Sequence, residues 1–411
     1  MKTKVNIEIA LTHISKRKRQ TLIASLGVTI GLALYIFSNS LMDGFAAYSR
    51  AEMFKTIPHI KVFKADEISK PLMNAADSSQ VVVVSNPSIT TLSKNIIDPY
   101  RLLNDIKKQP YIINAAPQVN VDLFYNVGEV QLKGVANGVH IMEADAMFDI
   151  QSTLLAGDLQ SLSSNLNAII IGKGIAEKMN VRLDDNITIT SALGIIKVMK
   201  VVGIFTTGNK ATDESKSYIH ISAAQQLVKR GPTYITDIYA SVNNPDSSLA
   251  YAAQLQQITD YKVEDWQTSN ADTLATDRIR KIMNSSVAMA IMMVAAFGIY
   301  NILNMTITQK MNDIAILKAT GFAGKDIVQV FVFEALVMGV LGTVLGLGAG
   351  AGLTYILSNV YIGDPIGYFP IYYDARVFIT SAAFGLLFSL GAGYLPARKA
   401  AKIDPVEIFR K

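Results

Sequence analysis

Four long stretches with almost no charge limit what this chain can fold into. They are residues 20–42, residues 283–309, residues 327–363 with Glu334 as the single exception, and residues 377–397. A helix needs about 20 predominantly apolar residues to cross ~30 Å of hydrocarbon, and each stretch is long enough. Because 50% of the 411 residues are hydrophobic and 17% are charged, the composition also favours a membrane protein.

The sequence therefore predicts four transmembrane helices and a large mixed α/β extracytoplasmic domain. The predicted parts are a cytoplasmic amphipathic helix (1–20), a first span (21–42), the α/β domain with its stalk helices (43–283), a second span (284–308), a cytoplasmic loop (309–326), a third span (327–358), an external loop (359–375), a fourth span (376–396) and a cytoplasmic tail (397–411). The middle segment is large enough for a domain of its own.

The positions of Lys and Arg predict the orientation. Basic residues cluster in "SKRKRQ" (15–20), in the loop between spans two and three, and after span four. Positive side chains are retained on the cytoplasmic side, so both ends of the sequence should lie in the cytoplasm. A cleaved signal peptide is the alternative for span one, but its apolar run is longer than a signal core. Basic residues at membrane boundaries do not indicate nucleic-acid binding, and the chain has no Cys for disulfides.

The α/β domain is expected to contain two subdomains. Segments rich in β-branched residues predict strands at 58–63, 80–85, 167–172, 186–190, 195–205 and 234–242. Helical spacing predicts helices at 98–109, 173–180, 222–230 and 248–258, the first with Asp98 as N-cap and Pro99 at the first helical position. Residues of about 119–232 look like an insertion into a βα layer formed by residues near 58–118 and 233–270.

A catalytic, metal or cofactor site is not expected in this chain. The His residues at 13, 59, 140 and 220 lack metal-ligand spacing. "NAIIIGKGIAEK" (167–178) has the outline of a phosphate loop without its spacing, so a tight strand-to-helix turn is the better interpretation. Trp266, the single tryptophan, could pack between elements or contact a ligand.

Two features of span three concern helix packing and buried charge. Gly342, Gly346 and Gly350 recur every four residues and would let another helix approach closely, either within one subunit or across a dimer. Glu334 is an acid inside the predicted membrane span. Such a residue is costly in hydrocarbon, so an ion pair, a hydrogen bond across helices and a transport role all remain open.

Three stretches carry a resemblance to FtsX/MacB-type ABC-transporter permeases. They are "IALTHISKRKRQTLIASLGVTIGLAL" (9–34), "QKMNDIAILKATGFAGKDI" continuing through "VQVFVFEALVMGVLGTVLGLGAGAGL" (309–353), and "GYLPARKAAKIDPVEIFRK" (393–411). "LMDGF" (41–45), "PHIKVF" (58–63), "VVGIFTTG" (201–208) and "DWQTSN" (265–270) resemble the lipoprotein-releasing LolC/LolE branch more than the MacB exporters. A MacB-like periplasmic core with two subdomains is the implied fold.

The resemblance implies a coupling helix, at about 312–321, that docks on a cytoplasmic ABC ATPase dimer. Asn312 would cap this helix, Asp313 would lie in its first turn, Ile314 and Leu317 would form an apolar contact edge, Lys318 would suit the helix dipole and Gly321 would end the helix. ATP with magnesium would bind the partner ATPase and not this chain. A second permease subunit, identical or different, is implied as well. An ordinary amphipathic connector is the alternative.

The implied function is that of a mechanotransmission permease, which releases lipoproteins from the outer leaflet of the bacterial inner membrane. Leu34, Phe37, Leu41 and Phe45 share one face of span one and are candidates to line the path by which acyl chains enter, with ordinary packing as the alternative. MacB-like export of peptides or drugs and FtsX-like regulation of a cell-wall hydrolase are also compatible with the resemblance. In the LolC/LolE branch a protruding hook recruits a periplasmic lipoprotein carrier, and the polar segment 206–217 is a candidate.

Overall fold

The chain divides into two compact units. A computed structural model describes residues 2–16, 18–66, 93–363 and 366–409. The helical unit comprises Met1–Ser49 and Ala275–Lys411, and the sheet unit comprises Arg50–Leu274. The strand predicted at 80–85 lies outside the described residues.

The helical unit consists of helices and two short strands, β11 (Tyr361–Gly363) and β12 (Gly367–Tyr368), whereas helices and strands alternate in the sheet unit. In chain order the helices are α1 (Lys2–Lys16), α2 (Lys18–Phe54), α3 (Pro99–Lys107), α4 (Ile141–Phe148), α5 (Ile150–Thr153), α6 (Leu159–Ser164), α7 (Lys173–Met179), α8 (Lys210–Asp213), α9 (Ile221–Leu227), α10 (Ser248–Gln256), α11 (Trp266–Ser269), α12 (Ala271–Gln309), α13 (Met311–Ala319), α14 (Gly324–Ser358), α15 (Ala375–Ala401) and α16 (Pro405–Phe409). The strands are β1 (Ile60–Phe63), β2 (Ile112–Val127), β3 (Val130–Val139), β4 (Leu154–Gly157), β5 (Ala168–Gly172), β6 (Asn186–Ser191), β7 (Ile196–Phe205), β8 (Lys216–His220), β9 (Asp237–Val242), β10 (Lys262–Asp265), β11 (Tyr361–Gly363) and β12 (Gly367–Tyr368).

Helices α2, α12, α14 and α15 are long and apolar enough to cross a membrane. They contain the four stretches without charge, and the prediction of four apolar spans is confirmed. Helix α2 has 37 residues and α12 has 39, both well beyond the ~20 that a span requires. Each of these two helices is therefore long enough to continue past the hydrocarbon.

Side-chain caps fix the starts of α14 and α15. Asp326 Oδ2 accepts the backbone N–H of Ala323 at 2.9 Å, and Asp374 Oδ1 accepts the N–H of Arg376 at 2.8 Å. These caps satisfy N–H groups that the first turn of a helix leaves without a partner. Helix α1 packs on α14, where Asn6 Nδ2 donates to Gln329 Oε1 at 3.0 Å and Ala10 is buried.

The sheet unit contains one mixed sheet in two parts. The first part is an antiparallel arrangement of four strands, in the order β10, β1, β9 and residues 112–118 of β2. In the second part, residues 119–127 of β2 pair with β3, and the order continues β8, β5, β7, β4, with β6 bridging β2 and β7. One long strand therefore runs through both parts. Strands β1 and β10, which begin and end the sheet in the sequence, are paired neighbours.

Buried apolar residues fill both faces of this sheet. One cluster, which includes Ile60, Val119, Leu123 and Ile238, connects the two parts of the sheet, and the other packs α4 and α6 around Phe148 and Leu162. Helix α3 begins at Pro99, as the sequence predicts. Asp98 occupies the N-cap position, but its side chain makes no capping hydrogen bond, because its backbone adopts a left-handed conformation with φ of 50°.

Candidate functional site

The helix of the predicted coupling loop is α13, and its ends are defined by backbone geometry. It begins at Met311 with Lys310 at the N-cap, so the prediction that Asn312 caps it is wrong. At its end, the N–H of Phe322 bonds to the carbonyl of Leu317 and the N–H of Gly321 bonds to that of Lys318, both at 3.1 Å. This is a Schellman motif, and Gly321 provides the left-handed residue that it needs with φ of +99°.

The apolar side chains of α13 point in two directions. Ile314 is only 3% exposed and belongs to the core of the helical unit, and Leu317 packs against the same core. Ile314 is therefore not available to a partner, and Leu317, which is half-buried, is available only in part. Ile316 is 51% exposed instead, on a side shared with the exposed residues Asn312 and Asp313. Together with Ala319, these three residues are the exposed residues of α13.

Hydrogen bonds from Lys318 connect α13 to the end of α15. The ammonium of Lys318 donates to the backbone carbonyl oxygens of Ala401, at 3.0 Å, and Ile403. Charge-assisted hydrogen bonds of this kind are about twice as strong as neutral ones. Lys318 and Ile314 therefore both hold α13 against the rest of the helical unit.

The glycines of α14 pack against α2 of the same chain. A Cβ on Gly342 would lie 2.7 Å from Val28 Cβ, and one on Gly346 would lie 2.8 Å from Leu32 Cβ. A Cβ on Gly350 would lie 2.9 Å from Ile36 Cδ1. These distances leave no room for a side chain. Of the two arrangements that the spacing leaves open, the structure therefore shows packing within one subunit.

Glu334 lies on the buried side of α14. It is 2% exposed and sits next to Ala335 and one turn from Phe331, which are also buried. An acid at such a position is costly unless it interacts with other polar groups. Its interactions across helices and a role in transport remain predictions.

The four residues predicted to line the path for acyl chains lie on the outer side of α2. Leu34 is 40% exposed and Phe45 is 43% exposed, while Phe37 and Leu41 are half-buried. The same side of α2 also exposes apolar residues nearer its start, namely Leu22, Leu26 and Ile30. The exposed apolar stripe therefore runs along most of α2 rather than being confined to one end.

Helices α2 and α12 touch each other directly. A Cβ on Gly27 would lie 3.7 Å from Ala295 Cα, which is ordinary van der Waals contact. Ser38 donates to Asn284, and Lys281 Nζ lies 2.9 Å from Asp43 Oδ1. The two helices therefore leave no wide gap along this line of contacts.

The loop between α14 and α15 covers another side of α2. Its residue Tyr372 donates its backbone N–H to the carbonyl of Ser40 at 3.1 Å. A Cβ on Gly44 would lie 1.9 Å from the carbonyl oxygen of Pro370, so the loop rests directly on the helix backbone. This contact requires glycine at position 44.

An aromatic cluster in the sheet unit connects the end of α2 with the start of α11. The ring centroid of Phe54 lies 5.1 Å from that of Trp266 and 4.5 Å from that of His59. Trp266 Nε1 donates to the carbonyl of Pro245 at 2.8 Å, so the tryptophan has a packing role. The N–H of Val242 donates to His59 Nδ1 at 3.0 Å, and burial lowers the pKa of His59, which favours this neutral form.

The segment predicted as a candidate hook is folded back on the sheet unit. The buried carboxylate of Asp213 accepts hydrogen bonds at 2.8 Å from the hydroxyls of Thr206 and Thr207 and from the N–H of Thr207. A Cβ on Gly172 would lie 2.2 Å from the carbonyl oxygen of Asp213. Residues 206–217 are thus a packed turn containing α8. They also fill the space beside the tight turn from β5 to α7.

Comparison with known proteins identifies the family. The chain belongs to the family described as MacB-like periplasmic core domain, whose sequence profile matches residues 21–258. A second profile, that of the FtsX-like permease C-terminal region, matches residues 285–405. The predicted resemblance is confirmed. This chain is an ABC transporter permease of the FtsX/MacB/LolC type and a multi-pass membrane protein of the bacterial inner membrane.

Individual relatives come from two branches. The lipoprotein-releasing system transmembrane protein LolC of Neisseria meningitidis is 25% identical over 98% of this chain and 98% of its own length. The macrolide export ATP-binding/permease protein MacB of Psychrobacter cryohalolentis is 25% identical over 81% of this chain and 53% of its own length. Among solved structures, the periplasmic region of MacB from Actinobacillus actinomycetemcomitans is 14% identical, with a TM-score of 0.33 over 53% of this chain and 90% of its own.

Proposed function

We propose that this permease releases lipoproteins, or closely related amphiphiles, from the outer leaflet of the inner membrane. The observation that carries the proposal is the similarity to LolC over 98% of both chains, since similarity to MacB covers only about half of the MacB protein. Extraction is costly because each buried CH₂ contributes ~0.8 kcal/mol to holding an acyl chain in the membrane. The work would come from ATP, bound with magnesium by a separate ATPase dimer.

Two long helices would transmit the movement. The ATPase would bind the exposed side of α13, which carries Ile316, and the contacts of Lys318 would pass its motion to the helical unit. Helices α2 and α12 continue unbroken out of that unit, and residues at the end of α2 pack on Trp266. The apolar stripe on the outside of α2 supports a path for acyl chains between this subunit and a second permease subunit.

The orientation that this mechanism requires can be tested by cysteine labelling, because the chain has no natural Cys. Ser163 in α6 and Thr320 after α13 are both exposed. With the sheet unit outside, a membrane-impermeant maleimide should label Ser163→Cys in intact spheroplasts and Thr320→Cys only after permeabilisation. Labelling with the opposite pattern would show that the orientation is inverted.

Depletion of the protein tests the function itself. Lipoproteins destined for the outer membrane should accumulate in the inner membrane, as measured by fractionation. A photocrosslinking residue at Leu34 should capture an acylated protein, whereas one at Ile379, exposed on α15, should capture little. Normal lipoprotein sorting with new sensitivity to peptides or drugs would favour MacB-like export instead. Altered cell-wall hydrolysis with normal sorting would favour an FtsX-like regulator.

A further inference from the structure

A long apolar groove lies between α12 and α15, away from the apolar stripe of α2. It has a volume of about 780 Å³ and is lined by residues of 289–300 on α12 and 384–399 on α15. Its walls are methionine, leucine, phenylalanine and small residues, among them Gly391, whose missing side chain leaves open space. A groove of this size is in the range of a ligand site.

One end of the groove is polar. Lys399 Nζ donates to the hydroxyl of Tyr300 at 3.2 Å and lies 5.8 Å from the centre of its ring. The contact directs the ammonium toward the groove. Without it, a lysine near the end of a helix would extend toward water. Since an ammonium has three donors, two remain for an anion after the bond to Tyr300.

The groove is about as long as one leaflet of a bilayer on α12 and extends further on α15. At ~1.5 Å per residue, the lining residues span about 16 Å of α12 and about 22 Å of α15. Half of the ~30 Å hydrocarbon core is about 15 Å, which is the depth that one lipid occupies. A transmembrane helix from a second copy of the chain would instead need contacts over the whole thickness of the bilayer.

The charge at the polar end favours a lipid over a helix. A phospholipid has an acyl chain for the apolar part of the groove and an anionic phosphate for Lys399. We therefore propose that this groove binds an anionic phospholipid, with its acyl chain between α12 and α15 and its phosphate at Lys399. In the orientation proposed above, the lipid belongs to the cytoplasmic leaflet. The site does not depend on lipoprotein release.

Photoactivatable lipids test this site in the full permease–ATPase complex, reconstituted in phosphatidylcholine nanodiscs without lipoprotein. Phosphatidylglycerol with a photoreactive acyl chain should label peptides covering 289–300 and 384–399 about fivefold more than the matching phosphatidylcholine probe, the preference expected from one lysine near anionic headgroups. Lys399→Gln should abolish the preference. Lys402→Gln, which changes an exposed lysine outside the groove, should preserve it.

A second variant fills the groove. Gly391→Leu should reduce labelling by both probes, because its side chain would enter the open space, while Gly348→Leu, at an open position on α14, should not. Equal labelling by both probes in the unchanged protein would overturn headgroup recognition. Absence of labelling, together with loss of permease pairing in Gly391→Leu, would assign the groove to a second copy of the chain.

Discussion

Replacing Ile316 with aspartate should stop ATP-driven transport while leaving the permease folded. Ile316 is 51% exposed on α13, so a charge there meets water in the isolated subunit. In the complex, the same charge would be buried in an apolar contact with the ATPase without a partner. Loss of such an anchor should weaken ATPase binding by about tenfold or more. Co-purification of the ATPase and transport in proteoliposomes measure the effect.

Ile314→Ala provides the matched contrast on the same helix. Ile314 is 3% exposed in the core of the helical unit, so its truncation should lower the free energy of unfolding by about 2–5 kcal/mol. The exposed side of α13 is unchanged, and the folded fraction should still bind the ATPase. Full transport by Ile316→Asp with its ATPase retained would show that α13 is a connector and not the coupling helix.

Introducing leucine at Gly342 should destabilise the helical unit. Its Cβ would lie 2.7 Å from Val28 Cβ and 2.9 Å from the carbonyl oxygen of Ser25, and backbone cannot rotate away as a side chain can. The hydroxyl of Thr29 also donates to the carbonyl of Gly342 at 3.2 Å, a contact that separation of the helices would break. Overpacking of this kind costs about 1–3 kcal/mol, measurable as a lower unfolding midpoint in detergent.

Gly348→Leu on the same helix is the control, because a Cβ there meets no atom within 4 Å. It should unfold at nearly the same temperature as the unchanged protein. If both leucine variants behaved alike, close packing of α14 on α2 would not be what stabilises the unit. If Gly348→Leu alone separated permease subunits, that side of α14 would be an interface between them.

The sequence predicts the transmembrane helices well because each of them is a long run of apolar residues. Twenty or more apolar residues without charge are typical of a membrane span. For the short helix α13, by contrast, the sequence does not tell which side is buried. Met311, Ile314, Ile316 and Leu317 place apolar groups all around it, so periodicity does not distinguish the buried side from the exposed one. The spacing of the glycines in α14 places them on one face of the helix. It does not tell which other helix packs on that face.

The sequence does not predict strand β2, and the composition of the strand explains why. It contains Pro117 and several polar residues, which are unusual within a strand. The proline is tolerated because it lies where the strand changes partners, from β9 at 112–118 to β3 at 119–127. The sequence also gives no sign of the apolar groove between α12 and α15, since its lining residues become neighbours only when the two helices pack.

The pairing of β1 with β10 has a consequence for how such permeases diversify. Ile60 and Asp265 face each other across two antiparallel strands, so the chain enters and leaves the sheet about 5 Å apart. The domain between them therefore begins and ends at neighbouring positions. A smaller or larger domain with equally close ends could replace it without changing the spacing of the two chain segments that lead to α2 and α12.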